Sequence, residues 1–325
     1  MRLFFTIIIP VKSINEYVRE TVPYVQKLMN QQWELIILPN DIEPDEWNDS
    51  RIRIIASGNV GPAKKRDMGA ESANGNVLVF LDDDSYPEKN LLDVAAVHFI
   101  DSSVTAIGGP AITPPHDTYW QKVSGSVFLS RFSGGAPERY IPIGRVKEVD
   151  DWPSVNLMVR KNDFLNIGGF NSPYWPGEDT KLCLDLIKTG KKILYVPDLI
   201  VWHHRRAGFA AHLKQFGGYG LHRGFFVKKY PETSRRLTYF IPSMFFIFAI
   251  VSTITPWLPN MIQSIIAAGW LLYFMTMLVV LVDISKKETI QVAGMTLIYV
   301  FFTHLFYGWK FIQGLLTQNL VSKYR

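Results

Sequence analysis

Three long apolar stretches near the C-terminus, approximately 238–258, 261–282 and 290–312, constrain this chain more than any other feature. Each approaches or exceeds the roughly 20 residues that a bilayer span requires. Charge is nearly absent inside them. In lipid, backbone polar groups must be satisfied within the segment, so the stretches read as helices. A soluble core does not use three such segments in succession. The flanks carry the orientation signal. Arg235-Arg236 precede the first stretch and Lys286-Lys287 separate the second from the third, while the break at 255–260 is uncharged. The positive-inside rule places residues 1–236 and 283–289 in the cytoplasm of a multi-pass protein of the cell membrane. Three spans leave the C-terminus outside, and Lys310, Lys323 and Arg325 count against the third of them.

The chain before these stretches has another character. Apolar runs at 4–11, 33–38 and 51–56 alternate with helical patterns at 15–30 and 63–74, the first of these interrupted or restarted near Pro23. That alternation predicts a parallel, nucleotide-binding type of sheet. The next strand, Val77-Leu78-Val79-Phe80-Leu81, ends in Asp82-Asp83-Asp84-Ser85. Ligands of open α/β sheets bind at such carboxyl ends. Three carboxylates raise each other's pKa, and a hard divalent cation removes that cost. The same residues also suit an acidic turn leading into a helix, with Ser85 as its cap. Beyond them the alternation weakens, and 114–152 reads as a long functional loop with a little helix. Further elements follow: a strand at 154–160, a short helix at 161–167, a helix at 180–189 and a strand at 193–196.

The net charge of +5 allows anionic lipid, a phosphorylated substrate or nucleic acid as partner. The cations cluster beside the apolar stretches, so nucleic acid is not expected. Cys183 is the single cysteine, which excludes an internal disulfide and a cysteine-based zinc cluster. Leu3–Val11 is too short, and lacks a cleavage site, for a cleavable signal peptide to be expected. Basic and aromatic residues interleave through 207–236, as an interfacial segment requires. Nothing here sets the oligomeric state.

Six pieces in order resemble the family 2 inverting glycosyltransferases of GT-A fold. They are Thr6–Val11, Trp33–Ile37, Gly61–Ala70, the acids Asp82–Asp84, Gly168-Gly169-Phe170 and Gly177-Glu178-Asp179. The tail, with Gln215, Tyr219-Gly220 and Arg223, is similar to the membrane-attached branch that builds exopolysaccharide, succinoglycan-type transferases included. The resemblance implies an α/β architecture: a Rossmann-like GT-A catalytic domain followed by C-terminal transmembrane helices. The expected boundaries are 1–206 for that domain, 207–236 for the interfacial segment and 237–325 for the membrane region.

The resemblance also implies roles. Donor binding falls to Pro10, Asp41, Arg66, Asp82 and Asp83. Asp41 would accept a hydrogen bond from the base, although a turn residue fits it equally. Arg66 would lie near base or diphosphate, or else on a solvated helix face with Lys64 and Lys65. Asp82 and Asp84 form the Asp-x-Asp pair holding Mg²⁺ or Mn²⁺, with Asp83 expected to face outward and to be dispensable. His203 or His204 is a further candidate ligand. Asp179 carries the catalytic base role, because inversion needs one carboxylate to take the acceptor's proton. Trp152, Trp175, Glu178, Gln215, Tyr219 and Arg223 are the acceptor-side candidates. The family usually has Asn where Asp67 stands and Arg where Asp185 stands. Either another cation substitutes for the missing one, with Arg160 and Lys181 the candidates, or the loop is arranged differently.

The expected reaction moves a sugar from a nucleotide-diphosphate sugar to a lipid-linked or glycan acceptor. A polyprenyl phosphate as direct acceptor is a second enzyme reading. An inactive membrane-anchored nucleotide-sugar binding module is a third, motivated by Asp67 and Asp185. Three spans are too few for a self-contained polysaccharide channel.

Overall fold

The computed structural model describes residues 3–321. In chain order its first half comprises β1 (Phe5–Pro10), α1 (Glu16–Gln26), β2 (Trp33–Leu38), β3 (Ile52–Ile54), α2 (Pro62–Ser72) and β4 (Val77–Phe80). Then come β5 (Ser85–Pro87), α3 (Leu91–His98), β6 (Val104–Gly108), β7 (Ala111–Ile112), α4 (Tyr119–Ser126), β8 (Lys147–Val149) and β9 (Leu157–Arg160). The remainder is α5 (Lys161–Asn166), α6 (Glu178–Lys188), β10 (Lys192–Tyr195), β11 (Val201–His203) and the helices α7 (Phe209–Lys229), α8 (Pro231–Ser234), α9 (Leu237–Ser252), α10 (Asn260–Ser285) and α11 (Ile290–Leu316).

Two compact units emerge. The first takes in the chain through Pro114 and Glu138–His204; the second takes in Pro115–Pro137 and Arg205–Leu320. The stretch 115–137, expected within the sheet domain, thus groups with the C-terminal helices.

The first unit is built on an eight-stranded sheet in the order β3-β2-β1-β4-β9-β6-β10-β8. β1, β2 and β4 are buried throughout, as continuous apolar runs with covered faces should be. The half β3-β2-β1-β4 is parallel. β9 then enters antiparallel to both β4 and β6, so the sheet is mixed rather than parallel throughout. From β1 the chain runs outward to β2 and β3 and then crosses back to β4 on the other side of β1, which makes the β1/β4 boundary a topological switch point and opens a crevice at its carboxyl end. Pro23 lies inside α1 without interrupting it. Ser85 caps no helix: it starts β5, the edge of a small three-stranded sheet in the order β5-β11-β7.

The second unit is helical. α10 and α11, with 26 and 27 residues, are the two helices among the described residues that are long and apolar enough to cross a membrane. α9, at the first of the three apolar stretches, has only 16 residues. A 3-10 turn at Thr255–Trp257 follows it, where Pro256 supplies no N–H to continue the helix. Lys323 and Arg325, which bore on the side of the C-terminus, lie outside the described residues.

α7 and α11 meet through small residues. A Cβ on Gly224 would lie 2.0 Å from the Phe311 carbonyl oxygen, and one on Gly220 2.6 Å from that of Tyr307. From the other side, a Cβ on Gly314 would lie 2.1 Å from the Leu221 oxygen. Only glycine admits such backbone approach, the device by which apolar helices pack closely. A buried polar bridge ties α4 to this seam: Ser124 Oγ lies 2.8 Å from His212 Nδ1, and His212 Nε2 lies 2.9 Å from Thr303 Oγ1. Burial pushes His212 down to about 3, so its ring is neutral there.

Candidate functional site

The acids after β4 form a closed turn. The Ser85 backbone N–H and hydroxyl both donate to the Asp82 carbonyl, at 3.2 and 2.8 Å. The turn delivers the chain into β5, whose antiparallel pairing sets Ser85 opposite His203. His203 Nε2 therefore lies 3.0 Å from Asp84 Oδ1. Ligand atoms of Asp82, Asp84 and His203 all fall within 4.8 Å of one another. Successive strand residues face opposite ways, and His204 leaves the cluster. Its ring bonds Glu20 at 3.0 Å and packs against Tyr17 and Tyr86. Of the two histidines, the geometry gathers only His203 with the acids.

Asp83 corrects one expectation. It is half-buried and accepts from Asn15 Nδ2 at 2.7 Å, while Asn15 Oδ1 caps α1 through the Val18 N–H. It is thus tied to the start of α1 and is not a freely solvated side chain.

Arg66 reaches the crevice from α2 and is buried, with 3% exposure. One fork nitrogen donates to Asp82 Oδ1 at 2.6 Å and the other to Glu178 Oε1 at 3.1 Å. The solvated-face alternative for Arg66 and Lys65 is excluded, since both are buried and only Lys64 is exposed. Arg66 links the end of β4 to the start of α6.

Gly177, at φ 112°, turns the chain into α6, so that Glu178 and Asp179 occupy its first turn. Carboxylates favour that end of the helix dipole. Glu178 is enclosed: burial and the neighbouring Asp179 push its carboxyl up to about 7 against the pull of Arg66. Asp179 is half-buried, and its Oδ1 accepts the Thr180 N–H at 2.8 Å. Of the pair it is the one with surface to offer an incoming group. Asp41 is exposed just past β2, and Pro10 closes β1 beside Leu38.

The acceptor-side candidates are divided between the two units. Trp152 is a core residue, 1% exposed, stacked on Tyr195 and donating through Nε1 to the Gly109 carbonyl at 3.0 Å. Its indole fills space beside the glycines that end β6, which removes it as a sugar platform. Trp175 stays half-buried in the loop before α6. Gln215, Tyr219 and Arg223 belong to the second unit, at i, i+4 and i+8 of α7. Gln215 Nε2 donates to Tyr219 Oη at 3.0 Å, and the Arg223 guanidinium lies over the Tyr239 ring at 4.9 Å.

Both departures from the family pattern have local explanations. Asp67 accepts the N–H groups of Phe170 and Asn171, at 2.8 and 3.3 Å, and so ties α2 to the Gly168-Gly169 loop. Asp185 pairs with Lys181 at 2.7 Å. Arg160 is spent on the carbonyls of Val104, Phe99 and Asp101. The cation that braces the acids is Arg66. Sequence reasoning missed Lys65, Asn40 and Asn15, because lone polar residues in a helix, a turn and a cap resemble ordinary surface.

Several known proteins are similar to this chain. A pre-mycofactocin glycosyltransferase of Mycobacterium tuberculosis is 28% identical over 151 residues, a match that takes in 45% of this chain and only 30% of that protein. A transferase of Methanococcus voltae is 22% identical over 98% of this chain and 99% of its own length. Its name describes transfer of a diacetamido-dideoxy-glucuronosyl group to dolichyl N-acetyl-α-D-glucosaminyl phosphate. The solved mannosyltransferase of Pyrobaculum calidifontis, in complex with GDP-Man and Mn²⁺, superposes with a TM-score of 0.54. That superposition covers 98% of this chain and 89% of that one at 13% identity. It shows the expected GT-A glycosyltransferase fold, with the helical region included. A family model matches residues 77–312, from the first residue of β4 well into α11, and on that match the chain belongs to glycosyl transferase family group 2.

Proposed function

We propose that this protein is an inverting, divalent-metal-dependent glycosyltransferase that moves a sugar from a nucleotide-diphosphate sugar to a lipid-linked glycan acceptor at the cytoplasmic membrane face. One observation carries the reading: Asp82, Asp84 and His203 converge at the carboxyl end of β4, and Arg66 joins that cluster to the first turn of α6, where Asp179 stands.

The donor set fits a divalent cation. Two carboxylates and one imidazole suit Mn²⁺ better than Mg²⁺, which prefers oxygen alone. A metal held by Asp82, Asp84 and His203 would supply Lewis-acid stabilisation to the leaving nucleoside diphosphate. The rest falls to the protein. Asp179 takes the proton from the acceptor hydroxyl as that oxygen attacks the anomeric carbon, on the face opposite the departing diphosphate. Arg66, anchored on Asp82, holds Glu178 and with it the helix turn that carries Asp179. Fixing base and donor groups on one buried link is what positional catalysis demands.

A lipid-linked acceptor is favoured by α10 and α11, and by the full-length likeness to a transferase whose named acceptor is a dolichyl-phosphate-linked sugar. The same name favours a lipid-linked sugar over a bare polyprenyl phosphate. Asp67 and Asp185, which motivated the inactive-module reading, serve local structure instead.

The test uses the full chain in detergent with Mn²⁺, a panel of nucleotide sugars and lipid-linked sugar acceptors. A product of inverted anomeric configuration is expected, with loss of turnover on chelation and in Asp179→Asn. Turnover by Asp179→Asn at the wild-type rate would refute the assignment of the base.

A further inference from the structure

An ammonium group is enclosed at the carboxyl ends of β1 and β2. Lys65 is 4% exposed. Its Nζ donates to the Val11 carbonyl at 2.5 Å, the Leu38 carbonyl at 3.1 Å and Asn40 Oδ1 at 2.6 Å. These three acceptors use all three of its protons. Burial lowers its pKa, while the charges of Asp41 and Asp83 oppose that and favour the ammonium.

The third bond decides how Asn40 is turned. An ammonium offers no acceptor, so the amide oxygen must face it and the NH₂ must face away. A flipped amide would set NH₂ against the cation and leave a buried donor unsatisfied, which is costly. The backbone is held as well: the Asn40 N–H donates to the Lys12 carbonyl at 3.0 Å, and its carbonyl accepts from Gly58 at 2.9 Å. Half-buried Asn40 therefore presents a fixed donor, whose nearest acceptor, Asn59 Oδ1, lies at a long 3.5 Å, and exposed Asp41, the next residue, presents an acceptor.

We propose that Asn40 is a specificity-determining residue for the donor nucleotide, reading a base edge in which an N–H lies beside a carbonyl oxygen, as in uracil and guanine, with Lys65 as its positioning residue. The proposal rests on the reading of this crevice as a nucleotide-sugar site. Asp41 accepts the base N–H, and Asn40 donates to the neighbouring carbonyl. Cytosine and adenine carry an amino group where that carbonyl would be, and so set N–H against N–H. An unconstrained asparagine could turn over to accommodate them, but Lys65 prevents it.

The experiment is calorimetric titration of the full chain in detergent and Mn²⁺ with UDP, GDP, CDP and ADP. UDP or GDP is expected to bind at least about tenfold more tightly than CDP and ADP, the worth of a hydrogen bond and the clash that replaces it. Asn40→Asp keeps an oxygen on Lys65 but removes the outward donor, and should reduce that preference about tenfold. Lys65→Met should narrow it too, with all four diphosphates still binding. A merely structural role would weaken all four alike. A wild-type preference for CDP or ADP, or an unchanged ranking in Asn40→Asp, overturns the proposal. Binding that depends on Asp84 but shows no base ranking overturns the Asn40 assignment alone. Absence of binding by any diphosphate, or binding indifferent to Asp84→Asn, removes the nucleotide-sugar reading and this inference with it.

Discussion

At the carboxyl ends of β1 and β4, two adjacent cations, Lys65 and Arg66, are buried among carbonyls and carboxylates. Along the α7/α11 seam, contact is made by glycines at backbone distance. Both places are tightly closed, but they respond to change differently. In the crevice each buried charge has a named partner, and removing one member strands the other. At the seam's glycines, an added atom has nowhere to go. The crevice is built to hold specific groups at specific places, the seam to hold two helices at one separation.

Substitutions can break or sharpen that contrast. The largest effect is expected on catalysis: Asp179→Asn should lower kcat by about 10²–10⁴ without altering thermal stability, as measured by lipid-acceptor turnover beside a melting curve. Arg66→Met should cost about 3–5 kcal/mol of stability, since Asp82 and Glu178 both lose their cation. Adding Glu178→Gln should restore part of it, and a double variant no more stable than Arg66→Met would show that the pair is not coupled. In the seam, Gly224→Ala should cost about 2–3 kcal/mol by overpacking against the Phe311 carbonyl. Gly294→Ala, on the same helix α11 as that carbonyl but with nothing within 4 Å of an added Cβ, is the control and should melt with the wild type. Equal melting of the two glycine variants would dissolve the distinction between seam and surface. Asp83→Ala should have the smallest effect, about 1 kcal/mol for the lost Asn15 bond, with donor affinity falling more than kcat.

Much of this protein was legible before any fold was known. The strands at 5–10, 33–38 and 77–80 stand where the apolar runs put them, because a strand covered on both faces needs an uninterrupted run. The acidic turn, the Glu178-Asp179 pair and the apolar helices at 260–285 and 290–316 were equally visible, each being a local pattern. The misreadings were of residues whose meaning lies in distant neighbours. Trp152 resembled a sugar platform, and only Tyr195 and the Gly109 carbonyl make it core. Asp83 was expected to face outward, but Asn15, 68 residues earlier in the chain, gives its carboxylate a partner.

By itself the sequence determined the alternation of strand and helix, the place where acids end a buried strand, and the order of motifs that marks the family. Those properties follow from side-chain period and local charge, which are written along the chain. Tertiary structure alone decided that His203 rather than His204 joins Asp82 and Asp84, through the pairing of β11 with β5. It alone decided that Arg66 bridges two acids 96 residues apart, Asp82 and Glu178, and that Lys65 turns the amide of Asn40. The reason is physical: a buried charge is defined by its partners, and partners are chosen by strand register and helix placement, not by proximity along the chain.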